Sequence, residues 1–222
     1  MKQPTRLVLA SLALAVAGSL AHAQDAKGDP KAGERKAAMC MGCHSIPGYQ
    51  ASFPEVYKVP MIAGQNAGYI VAALAAYKKG ERRHPTMRGL SITLSDQDMA
   101  DVAAYYATHR PSSIRTVADA PAVAPSAKVA DLLTKGACAS CHGANYNKPI
   151  NDAYPKLAGQ HADYLKVALQ AYGVANNPNV GRANAIMSAQ VKPFTRAELK
   201  AIADYLSQLP GDLHTPPQDK FR

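Results

Sequence analysis

Beyond its first residues the sequence has no long apolar run. No stretch after residue 23 is apolar over enough positions to span a membrane. The single apolar run, residues 7–20, is itself too short to cross a bilayer comfortably. It follows Lys2 and Arg6 and leads to the small-x-small sequence Ala21–Ala23, which is typical of a secretory signal. We therefore predict a signal peptide over residues 1–23 and an exported, periplasmic protein without a transmembrane span.

The sequence also lacks a large excess of charge of one sign, and its modest positive excess is shared evenly by the two halves. Residues 24–110 hold 11 Lys/Arg against 8 Asp/Glu, and residues 128–222 hold 11 against 7. Nucleic-acid-binding proteins usually collect their positive charge in one patch or stripe. The evenly spread excess argues against nucleic acid as a partner and suits an acidic protein partner.

Cysteine is scarce, and all four cysteines fall in two short motifs. The first motif is 37-AAMCMGCHSIPG-48 and the second is 135-KGACASCHGAN-145. In each, two cysteines are separated by two residues and followed at once by a histidine. The residues concerned are Cys40, Cys43, His44, Cys138, Cys141 and His142.

The two motifs belong to two copies of a longer unit. Downstream of them, 60-PMIAGQNAGYIVAALAAYKKG-80 matches 155-PKLAGQHADYLKVALQAYGVA-175, and 94-LSDQDMADVAAYYA-107 matches 194-FTRAELKAIADYLS-207. Self-similarity at a period of about 100 residues indicates a duplicated domain and not a solenoid of short repeats.

The repeat divides the mature chain into two domains. We predict a first domain over residues 24–110 and a second domain over residues 128–222. Between them, residues 111–127 are rich in Pro, Ala and Ser and lack helical periodicity. That composition predicts an extended, semi-rigid linker.

Each domain has the pattern of three short helices, and no segment has a convincing strand pattern. The predicted helix starts are Asp29-Pro30 and Ser126 for the first helix, and Ser95 with Asp98 and Thr195 with Glu198 for the last. The fold class is therefore all-α. Three short helices bury little apolar surface, so such a unit usually needs a covalent cross-link, a metal or a cofactor.

Four kinds of site can be considered for the cysteine motifs. Disulfides suit an exported chain but leave the fixed histidine unexplained. A redox dithiol of the thioredoxin kind expects a strand before the motif, and a closed zinc site expects four ligands. Covalent haem accounts for every residue, because C-x-x-C-H is the attachment motif of c-type haem. We predict two covalently bound haem c groups, with thioether bonds to the four cysteines and iron bonds to His44 and His142.

These motifs resemble those of class I cytochrome c domains in tandem, as in the dihaem cytochromes of the "c-four" type. The resembling region runs from about Asp29 to Gly211. The resemblance implies two small helical folds, each wrapped around one haem, with a loop methionine as sixth iron ligand and a proline carbonyl that accepts from the proximal histidine. Those roles fall on His44, Pro60 and Met87 in the first domain and on His142, Pro155 and Met187 in the second.

The positions of the two methionines support that assignment. Met187 is the only methionine of the second domain and lies eight residues before the predicted cap Thr195, just as Met87 lies eight residues before Ser95. Met99 has the spacing of a core residue. The histidines that could compete for iron, namely His84, His109 and His161, occupy unmatched positions.

Methionine and histidine together would fill both axial positions of each iron and favour the ferrous state. That arrangement suits a one-electron carrier between respiratory partners and leaves no position for a substrate. Two alternatives stay open: a haem-bearing subunit of a dehydrogenase or terminal oxidase complex, and, less favoured, a dihaem enzyme of the peroxidase type.

A group of basic residues near Met87 predicts a docking face for an acidic redox partner, such as a membrane-bound oxidase or dehydrogenase. The group comprises Lys78, Lys79, Arg82, Arg83 and Arg88. The alternative is a solvated helix end, where cations interact favourably with the helix dipole.

Overall fold

The computed structural model describes residues 27–109 and 117–216. The predicted signal peptide and part of the predicted linker lie outside these ranges. The helices are α1 (Pro30–Lys36), α2 (Ala38–His44), α3 (Ala67–Lys79), α4 (Pro85–Ser91), α5 (Asp96–Thr108), α6 (Ala127–Lys135), α7 (Cys138–His142), α8 (Ala162–Ala171), α9 (Ala185–Val191) and α10 (Arg196–Ser207). The strands are β1 (Gln50–Ala51), β2 (Tyr57–Lys58), β3 (Arg82–Arg83) and β4 (Gly181–Arg182).

The all-α prediction is confirmed, although four two-residue strands were not predicted. β1 pairs antiparallel with β2, and β3 pairs antiparallel with β4. Elements of two residues are too short to show the alternation by which a strand is recognised in a sequence. Their existence depends on the partner strand and not on local pattern.

The first helix of each domain is interrupted before the cysteine motif. In the first domain the interruption falls at Ala37, between α1 and α2. In the second domain Gly136 ends α6, and Ala137 adopts a left-handed conformation with φ 45° before α7 begins. Each motif therefore occupies a short helix of its own, and the histidine is the last residue of that helix.

The predicted helix caps are present. The Asp29 carboxylate accepts from the Lys31 N–H, and the Ser126 hydroxyl accepts from the Val129 N–H. Ser95 with Asp98 and Thr195 with Glu198 both form complete capping boxes. These local hydrogen bonds satisfy N–H groups that the helix leaves without partners, which is why short sequence signals locate the helix starts.

Each domain has its own apolar core. In the first domain α5 packs on α1 and α3 around Met99, Val102 and Tyr106, which are almost fully buried. A Cβ at Gly33 would lie 2.0 Å from the Asp101 carbonyl oxygen, so only glycine permits this approach of α1 to α5. In the second domain α10 packs on α8 and α6, with Leu206 at the centre.

The two domains meet through matched residues. β3 pairs with β4, so that Arg82 faces Arg182. Each arginine lies over two tyrosines of its own domain and donates from Nη2 to one tyrosine hydroxyl at 3.0 Å. The ring pairs are Tyr69 and Tyr77 for Arg82, and Tyr164 and Tyr172 for Arg182. Because counterparts in the repeat occupy equivalent places, the contact is reciprocal.

The predicted docking face is wrong for two of its five residues. Arg82 is held by its tyrosines, and Arg83 donates to the carbonyls of Ala175, Asn177 and Val174 in the second domain. The Arg83 side chain therefore joins the two domains, and the Arg82 side chain is engaged within its own domain. A run of basic residues in a sequence does not show which distant groups each arginine will contact in the folded protein.

Candidate haem sites

The two motif histidines are held in the same way. His44 Nδ1 lies 2.8 Å from the Pro60 carbonyl oxygen, and His142 Nδ1 lies 3.0 Å from the Pro155 carbonyl oxygen. A carbonyl can only accept, so each imidazole carries its proton on Nδ1 and leaves Nε2 as the nitrogen available to a metal. Burial lowers the pKa of both histidines, which the hydrogen bond to proline only partly offsets. Both rings are therefore neutral and suited to bind iron.

The four cysteines are half-buried and form no disulfide bonds with one another. Burial raises the pKa of Cys40 to about 11 and also raises that of Cys138. In the described parts of the chain, no three residues among His, Cys, Asp and Glu come together as a metal site would require.

The two methionines lie in short helices and not in loops as predicted. Met87 belongs to α4 and Met187 to α9, each at the third position of its helix. The side chain before each helix acts as its cap: His84 accepts from the Met87 N–H at 3.3 Å, and Asn184 accepts from the Met187 N–H at 2.9 Å. The matched caps start two short helices that present each methionine at the same place in its domain.

The cap role also removes one competing histidine. His84 Nδ1 accepts from the Met87 backbone, while His84 Nε2 lies 3.1 Å from the Tyr57 hydroxyl. Both ring nitrogens are thus engaged within the protein.

The predicted site residues of both domains line one continuous cavity of about 680 Å³. Its lining includes all four cysteines, both motif histidines and both methionines, together with apolar side chains of α3, α5, α8 and α10. The buried Tyr106 hydroxyl, which also lines it, has no hydrogen-bond partner among the described residues. Thiols, a neutral imidazole, a thioether and apolar walls are the groups that hold a covalent haem, and in the first domain the Tyr106 hydroxyl is free to donate a hydrogen bond to it.

Comparison with known proteins agrees with this chemistry. A family model described as cytochrome c matches residues 30–109 and again residues 126–210. The chain belongs to the cytochrome c family. Cytochrome c4 of Pseudomonas aeruginosa is 33% identical over 207 residues, covering 91% of this chain and 98% of that protein. A thiosulfate dehydrogenase electron acceptor of Stutzerimonas stutzeri is 29% identical over 185 residues, covering 80% of this chain and 82% of that protein.

The likeness extends to the three-dimensional structure. The crystal structure of reduced recombinant cytochrome c4 from Pseudomonas stutzeri matches with a TM-score of 0.61 at 26% identity, covering 82% of this chain and 100% of that chain. The protein is therefore a tandem class I cytochrome c of the c4 type, its cofactors are two covalent haem c groups, and its function is one-electron transfer.

Sequence analysis missed two residues of this cytochrome. Gln65 and Gln160 are each only 4% exposed and reach from one domain into the other. The sequence did contain a sign that these residues matter, because both glutamines belong to the AGQ sequence shared by the two copies. A repeat alignment shows that such a residue is retained, but only the structure shows what it contacts.

Proposed function

We propose that the cytochrome carries single electrons between redox proteins of the periplasm through two irons, each bound by one histidine and one methionine. In this proposal Cys40, Cys43, Cys138 and Cys141 hold the porphyrins, His44 and Met87 bind the first iron, and His142 and Met187 bind the second. The observation that carries it is the matched placement of both donor sets on one cavity.

The protein side chains determine how that redox chemistry is controlled. Bound haem supplies the one-electron couple of its iron. The proline carbonyls fix each imidazole in one tautomer, and the thioether of methionine favours the ferrous state. The donor pairs His44 with Met87 and His142 with Met187 would hold each iron within apolar walls, and so would exclude water and limit rearrangement on electron transfer. These properties support a carrier and not an enzyme.

Transfer between the two haems is part of the same proposal. The division into domains 24–110 and 128–222 with a linker over 111–127 is supported by the two matched stretches. Both donor sets line the same cavity, which supports two haem sites that lie near each other. An electron accepted at one haem can therefore leave from the other.

Periplasmic placement is supported by the signal-like first 23 residues and by the covalent attachment motifs. Among residues 27–109 and 117–216, no helix has the length and apolarity to cross a bilayer. The relative described as a thiosulfate dehydrogenase electron acceptor supports a redox enzyme as the electron donor. The same relative also supports a second candidate function, in which this chain is a haem-bearing subunit of a dehydrogenase or oxidase complex.

A redox-titrated absorption spectrum of the purified protein tests the proposal. We expect two haems per chain, the weak sulfur–iron band of methionine ligation, and two reduction steps. A colourless protein, or a native reduced protein that binds carbon monoxide readily, would contradict it. Co-purification of an untagged partner enzyme would favour the subunit alternative.

A further inference from the structure

Two buried glutamines exchange hydrogen bonds across the domain interface. Gln160 Oε1 accepts from the Met61 N–H at 3.0 Å, and its Nε2 donates to the Met61 carbonyl at 2.8 Å. In the same way Gln65 Oε1 accepts from the Lys156 N–H at 2.9 Å, and its Nε2 donates to the Lys156 carbonyl at 3.1 Å. Each domain thus holds one residue of the other by two bonds.

The residues that are held lie next to the prolines of the haem sites. The Met61 N–H belongs to the same peptide group as the Pro60 carbonyl, which accepts from His44 Nδ1. The Lys156 N–H likewise shares a peptide group with the Pro155 carbonyl, which accepts from His142. In each domain, one peptide group therefore connects the proximal histidine to a glutamine of the other domain.

The orientation of the two glutamine amides is fixed by their own chain. Gln65 Oε1 also accepts from the Asn66 N–H at 2.9 Å, and Gln160 Oε1 accepts from the His161 N–H at 3.0 Å. An atom that receives two N–H groups must be the oxygen, so a flipped amide is excluded.

A hydrogen bond accepted from an amide N–H polarises that amide and makes its carbonyl oxygen more negative. The carbonyl then accepts more strongly from histidine Nδ1, which makes the imidazole a more basic ligand. A more basic ligand stabilises the ferric state over the ferrous state. The effect is large enough to matter because the glutamines are buried, where hydrogen bonds are electrostatically stronger than in water.

We propose that the two glutamines are positioning residues that tune the haems in a crossed manner: Gln160 of the second domain lowers the potential of the first haem, and Gln65 of the first domain lowers that of the second. The inference rests on the proposed ligation by His44 and His142. It adds a role for residues that do not touch either iron.

The test replaces each glutamine by methionine, which keeps the length and removes the two hydrogen bonds across the interface together with the one from the following residue. The holoprotein is titrated while proton NMR follows each haem separately, with signals assigned through the Met87 and Met187 methyl groups. In Gln160→Met the ratio of reduced to oxidised first haem should rise about threefold at a fixed potential, which is about 28 mV at 59 mV per tenfold change. In Gln65→Met the second haem should shift instead.

A second readout follows the histidine directly. In the reduced protein the Nδ1–H resonance of His44 should move upfield in Gln160→Met and stay in place in Gln65→Met, and that of His142 should behave in the opposite way. Asn66→Ala is the matched control, because it removes another neutral bond between the domains, from Nδ2 to the Tyr154 carbonyl at 3.0 Å. We expect it to leave both potentials unchanged.

A shift confined to the haem of the mutated domain, an equal shift of both haems, or no shift would overturn the inference. These results are distinct from failure of the proposed function. If the unmodified protein lacks histidine–methionine ligation, the proposed function itself is wrong. If the unmodified protein shows that ligation but the variants show no crossed shift, only the tuning role is wrong.

Discussion

The first and second domains place their candidate iron ligands alike but surround them with different polar groups. In the first domain the buried Asp101 accepts from the Asp29 N–H, the Lys36 ammonium and the Gln97 amide, and so ties α5 to the start of α1. The corresponding position of the second domain is Ala201. The first domain thus has a polar connection between its terminal helices that the second does not need.

The opposite difference lies beside the prolines. Lys156 of the second domain is buried, with Nζ 2.6 Å from Asp212 Oδ2 and 2.9 Å from the Gly64 carbonyl oxygen of the first domain. Its counterpart is the uncharged Met61. After duplication the donors that line the cavity stayed matched, whereas the supporting charges diverged. Variants of the matched donors and variants of the diverged charges therefore test different parts of this comparison.

The largest effect should come from removing one methionine ligand. Met87→Ala should abolish about half of the sulfur–iron absorption and let carbon monoxide bind one haem of the reduced protein, because one axial position opens. Met187→Ala should do the same at the other haem. Met99→Leu is the control, since Met99 is a core residue only 2% exposed, and it should keep the whole band. An unchanged band in either alanine variant would mean that another group binds that iron.

Lys156→Met, which gives the second domain the residue of the first, should cost about 3 kcal/mol of unfolding free energy. It removes the ammonium from a buried carboxylate, a change more costly than replacing both charged groups together. Urea unfolding measures the loss, and the double variant Lys156→Met/Asp212→Asn should recover part of it. Lys166→Met is the control, because it breaks an exposed ion pair with Glu55 between the same two domains and should cost under about 1 kcal/mol. Equal losses in Lys156→Met and Lys166→Met would refute the role of burial.

Asp101→Asn should weaken the first domain by about 2 kcal/mol, because an amide cannot replace the carboxylate as acceptor for three donors. Amide hydrogen exchange localises the effect: α5 should lose protection while α10 keeps it. Asp204→Asn, which affects only an exposed pair with Lys200, is the matched control and should change neither helix measurably. Loss of protection in both helices would indicate that the domains unfold as one unit.

The smallest expected difference is in acid stability. The Asp29 N–H, followed by Lys36, holds the pKa of Asp101 below its ordinary value of about 4. A lowered pKa stabilises the fold above the ordinary value, and that contribution is lost as the pH falls through the lowered pKa. The pKa of the capping-box carboxylate is also lowered in each domain, for Asp98 in the first and Glu198 in the second. Both carboxylates therefore reduce acid stability as they protonate, and the two effects oppose each other when the domains are compared.

We therefore expect the first domain to lose more stability than the second between about pH 5 and pH 2. Urea unfolding at several pH values, followed by NMR signals of each domain, measures this. Asp101→Asn should reduce the difference, and a steeper loss in the second domain would contradict the prediction.

Local signals predicted much of this molecule. The caps at Ser95 and Thr195 could be read because a capping box involves residues three positions apart. The donor sets could be read because C-x-x-C-H is contiguous and the two copies align. The strand pair that joins Arg82 to Arg182, and the partners of Gln65 and Gln160, could not be read, because these contacts link residues about 90 to 100 positions apart. The same reason explains why a basic run was interpreted as a docking face.

The reciprocal contacts between the halves have a consequence for the history of the chain. An interface in which equivalent residues meet is already complete in a two-fold symmetric homodimer of single domains. Fusion of two such subunits would preserve every one of these contacts and require no new complementary surface. From then on each half could change independently outside these reciprocal contacts, which leaves two unlike electron sites joined by contacts that remain symmetric at Gln65 with Gln160 and at Arg82 with Arg182.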